Sequence, residues 1–204
     1  KGERFVHRAV TPGAATAALL PDVLREAIAA QQLATQSREL DPQTQVVVTA
    51  GAAEALAAAL EDVARLRIRV FRDFPYLYDG DADYERDYLR AYQSPGAVVV
   101  AAMDGDKVVG AATGAPMADH AADFAAAFAD RPEPLDQIFY CAESVLLPAY
   151  RGHGLGHAFF DGREAQARSL GRRYSAFCSV IRPADHPARP KDYRPLDGFW
   201  RKRG

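Results

Sequence analysis

The chain has 204 residues, 49% of them hydrophobic and 25% charged, a balance suited to a folded domain and too apolar for a disordered chain. Lys and Arg total 25 against 27 Asp and Glu, a formal net charge of -2, so there is no overall basic field to hold a phosphodiester backbone, and nucleic acid is not expected as a partner. No apolar run approaches the ~18 residues of a membrane span, and no basic segment leads into an apolar stretch and cleavage site, so a cytoplasmic protein without membrane attachment is expected.

Residues 1–43 read as an accessory segment: Arg4-Phe5-Val6-His7, a break at Thr11-Pro12-Gly13, then an amphipathic stretch with Asp22 as N-cap and Val23, Leu24, Ala27, Ile28 and Leu33 at helical spacing. The main domain is placed at 44–204. It begins with a strand around Val46-Val47-Val48, and the spacing of Leu56, Leu60, Val63, Leu66 and Val70 predicts a helix from Glu54 to Phe71. Phe74 to Asp81 contains Pro and Asp-Gly and reads as an aromatic-bearing loop, followed by a helix over Tyr84 to Tyr92.

Two apolar runs, 97–103 and 108–113, flank Asp104-Gly105-Asp106, which is a hairpin signal. A helix near Asp119 to Ala129 precedes a strand from Ile138 to Leu147, which ends at Pro148 because proline cannot donate to a ladder. A helix then runs from about Leu155 to Gly171, and Ser175 to Ile181 forms a last strand. Cys141 and Cys178 both lie in apolar strand-like runs, where free thiols act as small core side chains.

The stretch Arg151-Gly152-His153-Gly154-Leu155-Gly156 lies where a strand ends and a helix begins, so unpaired N–H groups and the positive end of the helix dipole converge there. Its glycines permit positive φ and close approach of a diphosphate, and Arg151 adds a charge-assisted hydrogen bond. A Walker-type loop would need Gly-Lys-Ser/Thr, which is lacking, and a dinucleotide fingerprint would need G-x-G-x-x-G early in the chain. A purely structural turn fits the same spacing. His153 and His157 lie four apart, but no Cys, Asp or Glu joins them at ligand spacing, so no metal is expected.

Glu143 to Gly156 resembles the acetyl-CoA motif of the GNAT superfamily (Gcn5-related N-acetyltransferases), Arg/Gln-x-x-Gly-x-Gly/Ala, with Arg151, Gly154 and Gly156 at its defined positions and Leu-Pro-x-Tyr-Arg-Gly-x-Gly as lead-in. The resemblance covers roughly residues 44–204. It implies an α/β (α+β type) fold with a mixed, mostly antiparallel sheet flanked by helices, splayed between the strand ending at Leu147 and the strand at Ser175. It also implies acetyl-CoA as co-substrate, its pantetheine pairing with backbone near Leu146 and Leu147 and its diphosphate on Arg151, Gly152, His153, Gly154, Leu155 and Gly156. An amine of a small molecule or peptide would attack the thioester directly.

Glu143, a carboxylate in an apolar strand, is the preferred general base, with a salt-bridged strand carboxylate as the competing role. Tyr76, Tyr78 and Asp79 lie where the family shapes its acceptor pocket; the rings would offer faces to an amine and the carboxylate would attract an ammonium. Trp200 stands where many members have a tyrosine acid, and indole is not a usable acid, so Trp200 is expected to pack, leaving Tyr193 as the nearby candidate.

The family continues into two further strands beyond the point where this chain ends. Either the sequence is a fragment or residues 1–43 cover the sheet edge, with a homodimer as one consequence of losing that cover. Two other functions remain open: an acyl-CoA-binding module without catalysis, and, from a faint likeness over Leu20 to Leu60, a piece of a fold-type I pyridoxal-phosphate aminotransferase.

Overall fold

The computed structural model describes the backbone of residues 4–10, 44–50, 53–105, 107–120, 128 and 132–202, with side chains from residue 60 onward within that set, residue 91 apart. The helix expected around residues 22–33 and most of the one expected at 119–129 lie outside the described residues. Six strands form one sheet: β1 (Arg4–Val10), β2 (Thr44–Ala50), β3 (Val98–Asp104), β4 (Lys107–Pro116), β5 (Ile138–Leu146) and β6 (Tyr174–Ile181). The spatial order is β1-β6-β5-β4-β3-β2, and every neighbouring pair is antiparallel except β5 and β6, which run parallel.

Helix α1 (Ala53–Phe71) buries Leu60, Val63 and Leu66, the stripe that its 3.6-residue spacing predicts. Helix α2 (Ala82–Leu89) starts where the Asp81 carboxylate accepts hydrogen bonds from the N–H groups of Asp83 (3.0 Å) and Tyr84 (2.9 Å). It therefore begins earlier than its aromatic spacing suggests. It also ends earlier, tightening into a 3-10 turn over Arg90–Gln93 just ahead of Ser94-Pro95, because proline disfavours helical geometry in the residue before it.

Helix α3 (Leu155–Ser169) buries Leu155, Phe159, Phe160 and Ala167, and the chain leaves it through Gly171 at φ +67. On β5 the Glu143 side chain reaches Arg67 of α1, whereas Leu146, an odd number of residues away, packs in the region of Gly110 and Phe159 of α3. Since strand side chains alternate faces, α1 and α3 cover opposite faces of the sheet.

β1 lies antiparallel along β6 from the Arg4–Ile181 pair to the Val10–Ser175 pair. β6 is thus an interior strand, and β1 and β2 form the two edges. The last two strands named by the resemblance are not present among the described residues, and β1 occupies the flank of β6.

Candidate active site

β5 and β6 pair only at Ile138–Tyr174, Phe139–Ser175 and Tyr140–Ala176. Beyond Tyr140 they part, leaving one side of β5 from Ala142 to Leu146 without a strand partner among the described residues. The Leu147 N–H donates to the Val109 carbonyl of β4 (3.0 Å), and by alternation the backbone groups of Leu146 turn away from β4 into the gap. The Leu146 carbonyl accepts a hydrogen bond from Arg151 Nε (3.2 Å), so the motif arginine folds back beside the strand end.

The glycine turn lies at the mouth of this gap. Gly152 (φ +87) and Gly154 (φ +83) adopt left-handed backbone that disfavours any residue with a Cβ, and Gly154 is the N-cap of α3. A Cβ at either position would meet nothing within 4 Å, so conformation is what selects glycine there. Gly156 differs: a Cβ at this position would stand 3.2 Å from the Phe199 ring, so its small size lets the short helix α4 (Asp197–Arg201) pack on α3. Of the three motif glycines, Gly152 and Gly154 take the positive φ that glycine permits, and Gly156 does not.

The N–H groups of Gly152, His153, Gly154, Leu155 and Gly156 have no hydrogen-bond acceptor among the described residues, and the next donors, from His157 and Ala158, return to the Gly154 carbonyl. A run of open amides at a helix N-terminus attracts anions. Tyr150 anchors the approach to the turn through its hydroxyl, which donates to Asp104 of β3 (2.5 Å).

Next to the gap, between α1, the Phe74–Asp81 loop, α2 and the open end of β6, is a cavity of about 320 Å³. Its wall includes Glu143, Arg67, Arg182, Cys178 and a group of tyrosines, 76, 78, 84, 88 and 140. The Glu143 carboxylate is buried and engaged on both oxygens: Arg67 donates to one and the Thr113 hydroxyl to the other. Arg67 also donates through Nε to Glu85, which is fully buried. Burial opposes the charge of Arg67, but Glu143, together with Tyr88 and Glu85, holds the guanidinium above its ordinary value, so it stays protonated.

Thr113 reaches Glu143 because the β4–β5 register shifts between Ala112 and Gly114. Such irregularities re-aim a side chain and free ladder carbonyls. The freed carbonyls of Thr113 (3.5 Å) and Glu143 (3.1 Å) accept hydrogen bonds from Arg163 of α3, which is buried and also donates to the Phe159 carbonyl (3.1 Å).

The structure brings some of the expected site residues together and separates others. Tyr76, Tyr78 and Glu143 line one cavity. Asp79 does not; its exposed carboxylate pairs with Arg72 (3.2 Å) on the outside of the loop. Within the turn, Arg151 and His153 are exposed, while the side chains of Leu147 and Leu155 are buried in the core, so these two can present only backbone to a ligand. His157 packs against the Phe199 ring at 4.7 Å.

Trp200 packs against Phe177 at 5.2 Å. Tyr193 is not part of the cavity wall; its ring lies edge-on to Phe74 at 4.7 Å, and burial raises its phenol above the ordinary value. His186 accepts a hydrogen bond at Nδ1 from the Ala188 N–H (3.1 Å), ordering its own loop. Neither Cys141 nor Cys178 is in a disulfide. Among the described residues, no group of His, Cys, Asp and Glu is placed to hold a metal ion, and no helix is long and apolar enough to cross a membrane.

Arg67, Thr113 and Arg163 were not anticipated as site residues. A signal for Arg67 exists: it follows Leu60, Val63 and Ala64 on the buried side of α1, where a cation requires an acidic partner. Nothing local marks Thr113, whose part depends on the register shift.

The model of the Acetyltransferase (GNAT) family matches residues 60–190. Solved structures with the same fold include a GCN5-related N-acetyltransferase from Sphaerobacter thermophilus, at 11% identity and a TM-score of 0.53 over 100% of this chain and 49% of that one. An integron cassette protein from the mobile metagenome of V. cholerae aligns at 16% identity and a TM-score of 0.50, over 79% of this chain and 85% of that one. An aminoglycoside N-acetyltransferase, AAC(6')-Iy, in complex with CoA, aligns at 14% identity and a TM-score of 0.50, over 80% and 87% of the two chains. Separately, a stretch of 33 residues is 79% identical to the glycine--tRNA ligase beta subunit of Xanthomonas campestris pv. campestris, covering 16% of this chain and only 5% of that protein.

Proposed function

The chain belongs to the acetyltransferase (GNAT) family, and from that premise we propose that it is an N-acetyltransferase that moves an acetyl group from acetyl-CoA to a primary amine bound in the tyrosine-walled cavity. The observation that carries the reading is the run of open amides from Gly152 to Gly156 past the end of β5, the strand whose Ala142 and Glu143 line that cavity. The solved aminoglycoside acetyltransferase of the same fold contains CoA, in keeping with this assignment.

In this reading the amides of Gly152 to Gly156 and the Arg151 guanidinium hold the diphosphate, and the inward-turned backbone of Leu146 pairs with the pantetheine amides as an added strand would. The amine nitrogen forms a bond to the acetyl carbon as the carbon–sulfur bond breaks, giving amide and CoA thiolate. Glu143 accepts the proton lost from the amine, directly or through one water, and passes it to solvent.

Arg67 is shared between Glu143 and Glu85, so the three groups keep one net negative charge beside the cavity, which favours an ammonium close to Glu143. Thr113 and Arg67 fix the carboxylate's direction, so its orientation is set before the amine arrives. No side chain is assigned to the departing thiolate, which takes its proton from solvent; Trp200, packed on Phe177, has no acidic proton to give.

That last feature also favours a second reading, a module that binds acyl-CoA without catalysing transfer. Calorimetric titration of acetyl-CoA, followed by measurement of free CoA release against a panel of amines, separates the two. Gly154→Val should weaken acetyl-CoA binding at least about tenfold, since a β-branched residue strains backbone at φ +83 and the cradle with it. Glu143→Gln should retain binding and lower turnover about 10²-fold or more. Absence of acetyl-CoA binding to the wild-type protein sinks both readings, and binding without CoA release on any amine selects the non-catalytic module.

A further inference from the structure

We infer that the acceptor is a small monoamine carried on an aromatic or similarly flat apolar body, an arylalkylamine, and not a polyamine or a polycationic amino sugar; this rests on the reading of the tyrosine-walled cavity as the acceptor site.

Three observations lead there. The first is the wall itself. Tyr84 is 54% exposed and Tyr76 37% exposed, large rings left open to solvent at the cavity, and Tyr84 stacks near-parallel to Tyr88 with centroids 6.4 Å apart while Tyr78 stands 6.2 Å from Tyr84. Aromatic faces bind flat apolar groups by stacking or edge contact and bind a cation over the ring. The phenols of Tyr76, Tyr78 and Tyr88 stay neutral: burial and Glu85 push Tyr78 up to about 12, and burial, assisted by Glu143, raises Tyr76 and Tyr88. These three therefore offer rings and hydroxyl donors but no phenolate charge to neutralise a second or third ammonium.

The second observation is the charge inventory. Among the described residues, Arg67 and Arg182 are both in the wall, Arg182 donating to the carbonyls of Pro75 (2.8 Å) and Tyr76 (2.9 Å), and Glu143 is the carboxylate in the wall, with Glu85 paired to Arg67. Among the described residues of the wall, with Glu85, two cations and two carboxylates sum to zero. One ammonium can sit toward Glu143, whereas each further positive charge meets a guanidinium.

The acidic residues of the neighbouring loop do not alter this balance. Asp79 pairs with Arg72 (3.2 Å), Asp83 pairs with Arg86 (2.7 Å), and Asp81 caps α2. None of them contributes to the cavity wall.

The third observation is size. At about 320 Å³ the cavity is at the lower end of the roughly 300–1,000 Å³ usual for ligand sites, a size that an acceptor of one or two rings fills.

The test measures binding of 2-phenylethylamine, n-butylamine, spermidine, kanamycin and 2-phenylethanol to the full chain by ligand-observed NMR and calorimetry, with and without CoA. The same amines are then scored for acetyl transfer from acetyl-CoA. The expected result is that 2-phenylethylamine binds at least about tenfold more tightly than each of the others, because only it combines the ring with a single ammonium.

Tyr84→Ala, at an exposed position where folding is not at stake, should weaken 2-phenylethylamine about 3- to 10-fold and n-butylamine much less. Equal or tighter binding of spermidine or kanamycin overturns the inference. So does failure of 2-phenylethylamine to bind under either condition, or an affinity unmoved by Tyr84→Ala and by Tyr76→Ala. Selective binding with no transfer to any amine leaves the cavity's preference standing and overturns the acetyltransferase reading; preferential transfer to kanamycin or spermidine does the reverse.

Discussion

Arg67→Met removes the cation that Glu85 and Glu143 share, at a site where all three groups are buried, and keeps an unbranched apolar stem in place of the side chain's methylenes. Two carboxylates are then left in the interior with no counter-charge. Breaking a buried ion pair by deleting one partner costs about 3–5 kcal/mol, against a median near 1 kcal/mol or less for surface pairs. In a domain of this size each kcal/mol moves the melting temperature by about 2–4 °C, so a fall of about 6–20 °C is expected by circular dichroism at neutral pH.

A second variant ties the loss to the carboxylate. With Arg67→Met in place, Glu143→Gln removes one stranded charge while its amide can still accept from Thr113, so the double variant should melt higher than the single. A melting temperature for Arg67→Met within about 2 °C of wild type, or a double variant no more stable than the single, would refute the view that Arg67 holds the site together.

Two other outcomes follow from the sheet and from the tyrosines. Residues 1–43 are proposed as an accessory segment whose strand β1 covers β6. Deleting them bares the ladder of β6, and the truncated protein should elute as a dimer or larger species in size-exclusion chromatography; a monodisperse monomer of unchanged stability would rule out an edge-covering role.

At alkaline pH, Tyr76, Tyr88, Tyr92 and Tyr140 are raised chiefly by burial, and Tyr78 lies at about 12. The folded protein keeps protons that unfolded tyrosines lose near pH ~10, so this contribution to stability is full below about 10 and is lost as pH climbs through the folded values. Near-ultraviolet absorbance should show a group of tyrosines ionising late and together with loss of structure. Ionisation of all 9 near pH ~10 with native circular dichroism would contradict this.

Several features were legible without coordinates because their causes lie within a few neighbouring residues. The stripe Leu60, Val63, Leu66 set the buried face of α1, Pro148 marked the end of β5, and the glycines of Arg151 to Gly156 announced a helix entry with positive φ. The likeness to acetyltransferases rested on that same local stretch, and the family match bears it out.

What the tertiary structure decided are the matters that need residues distant in sequence to meet. Arg67 and Glu143 are 76 positions apart, and Thr113 joins them only through a register shift. Which way Asp79 points is set by Arg72 outside the cavity, and why residue 156 is glycine is set by Phe199.

By itself, then, the sequence determined the order of the strands from β2 to β6, the glycine turn at the start of α3 and the family, since periodicity, capping and backbone torsion are short-range. Only the folded sheet decided that Glu143 is clamped, that the loop's tyrosines face inward while Asp79 faces out, and that β1 closes the flank of β6, because burial and ion pairing depend on what the fold sets opposite each side chain.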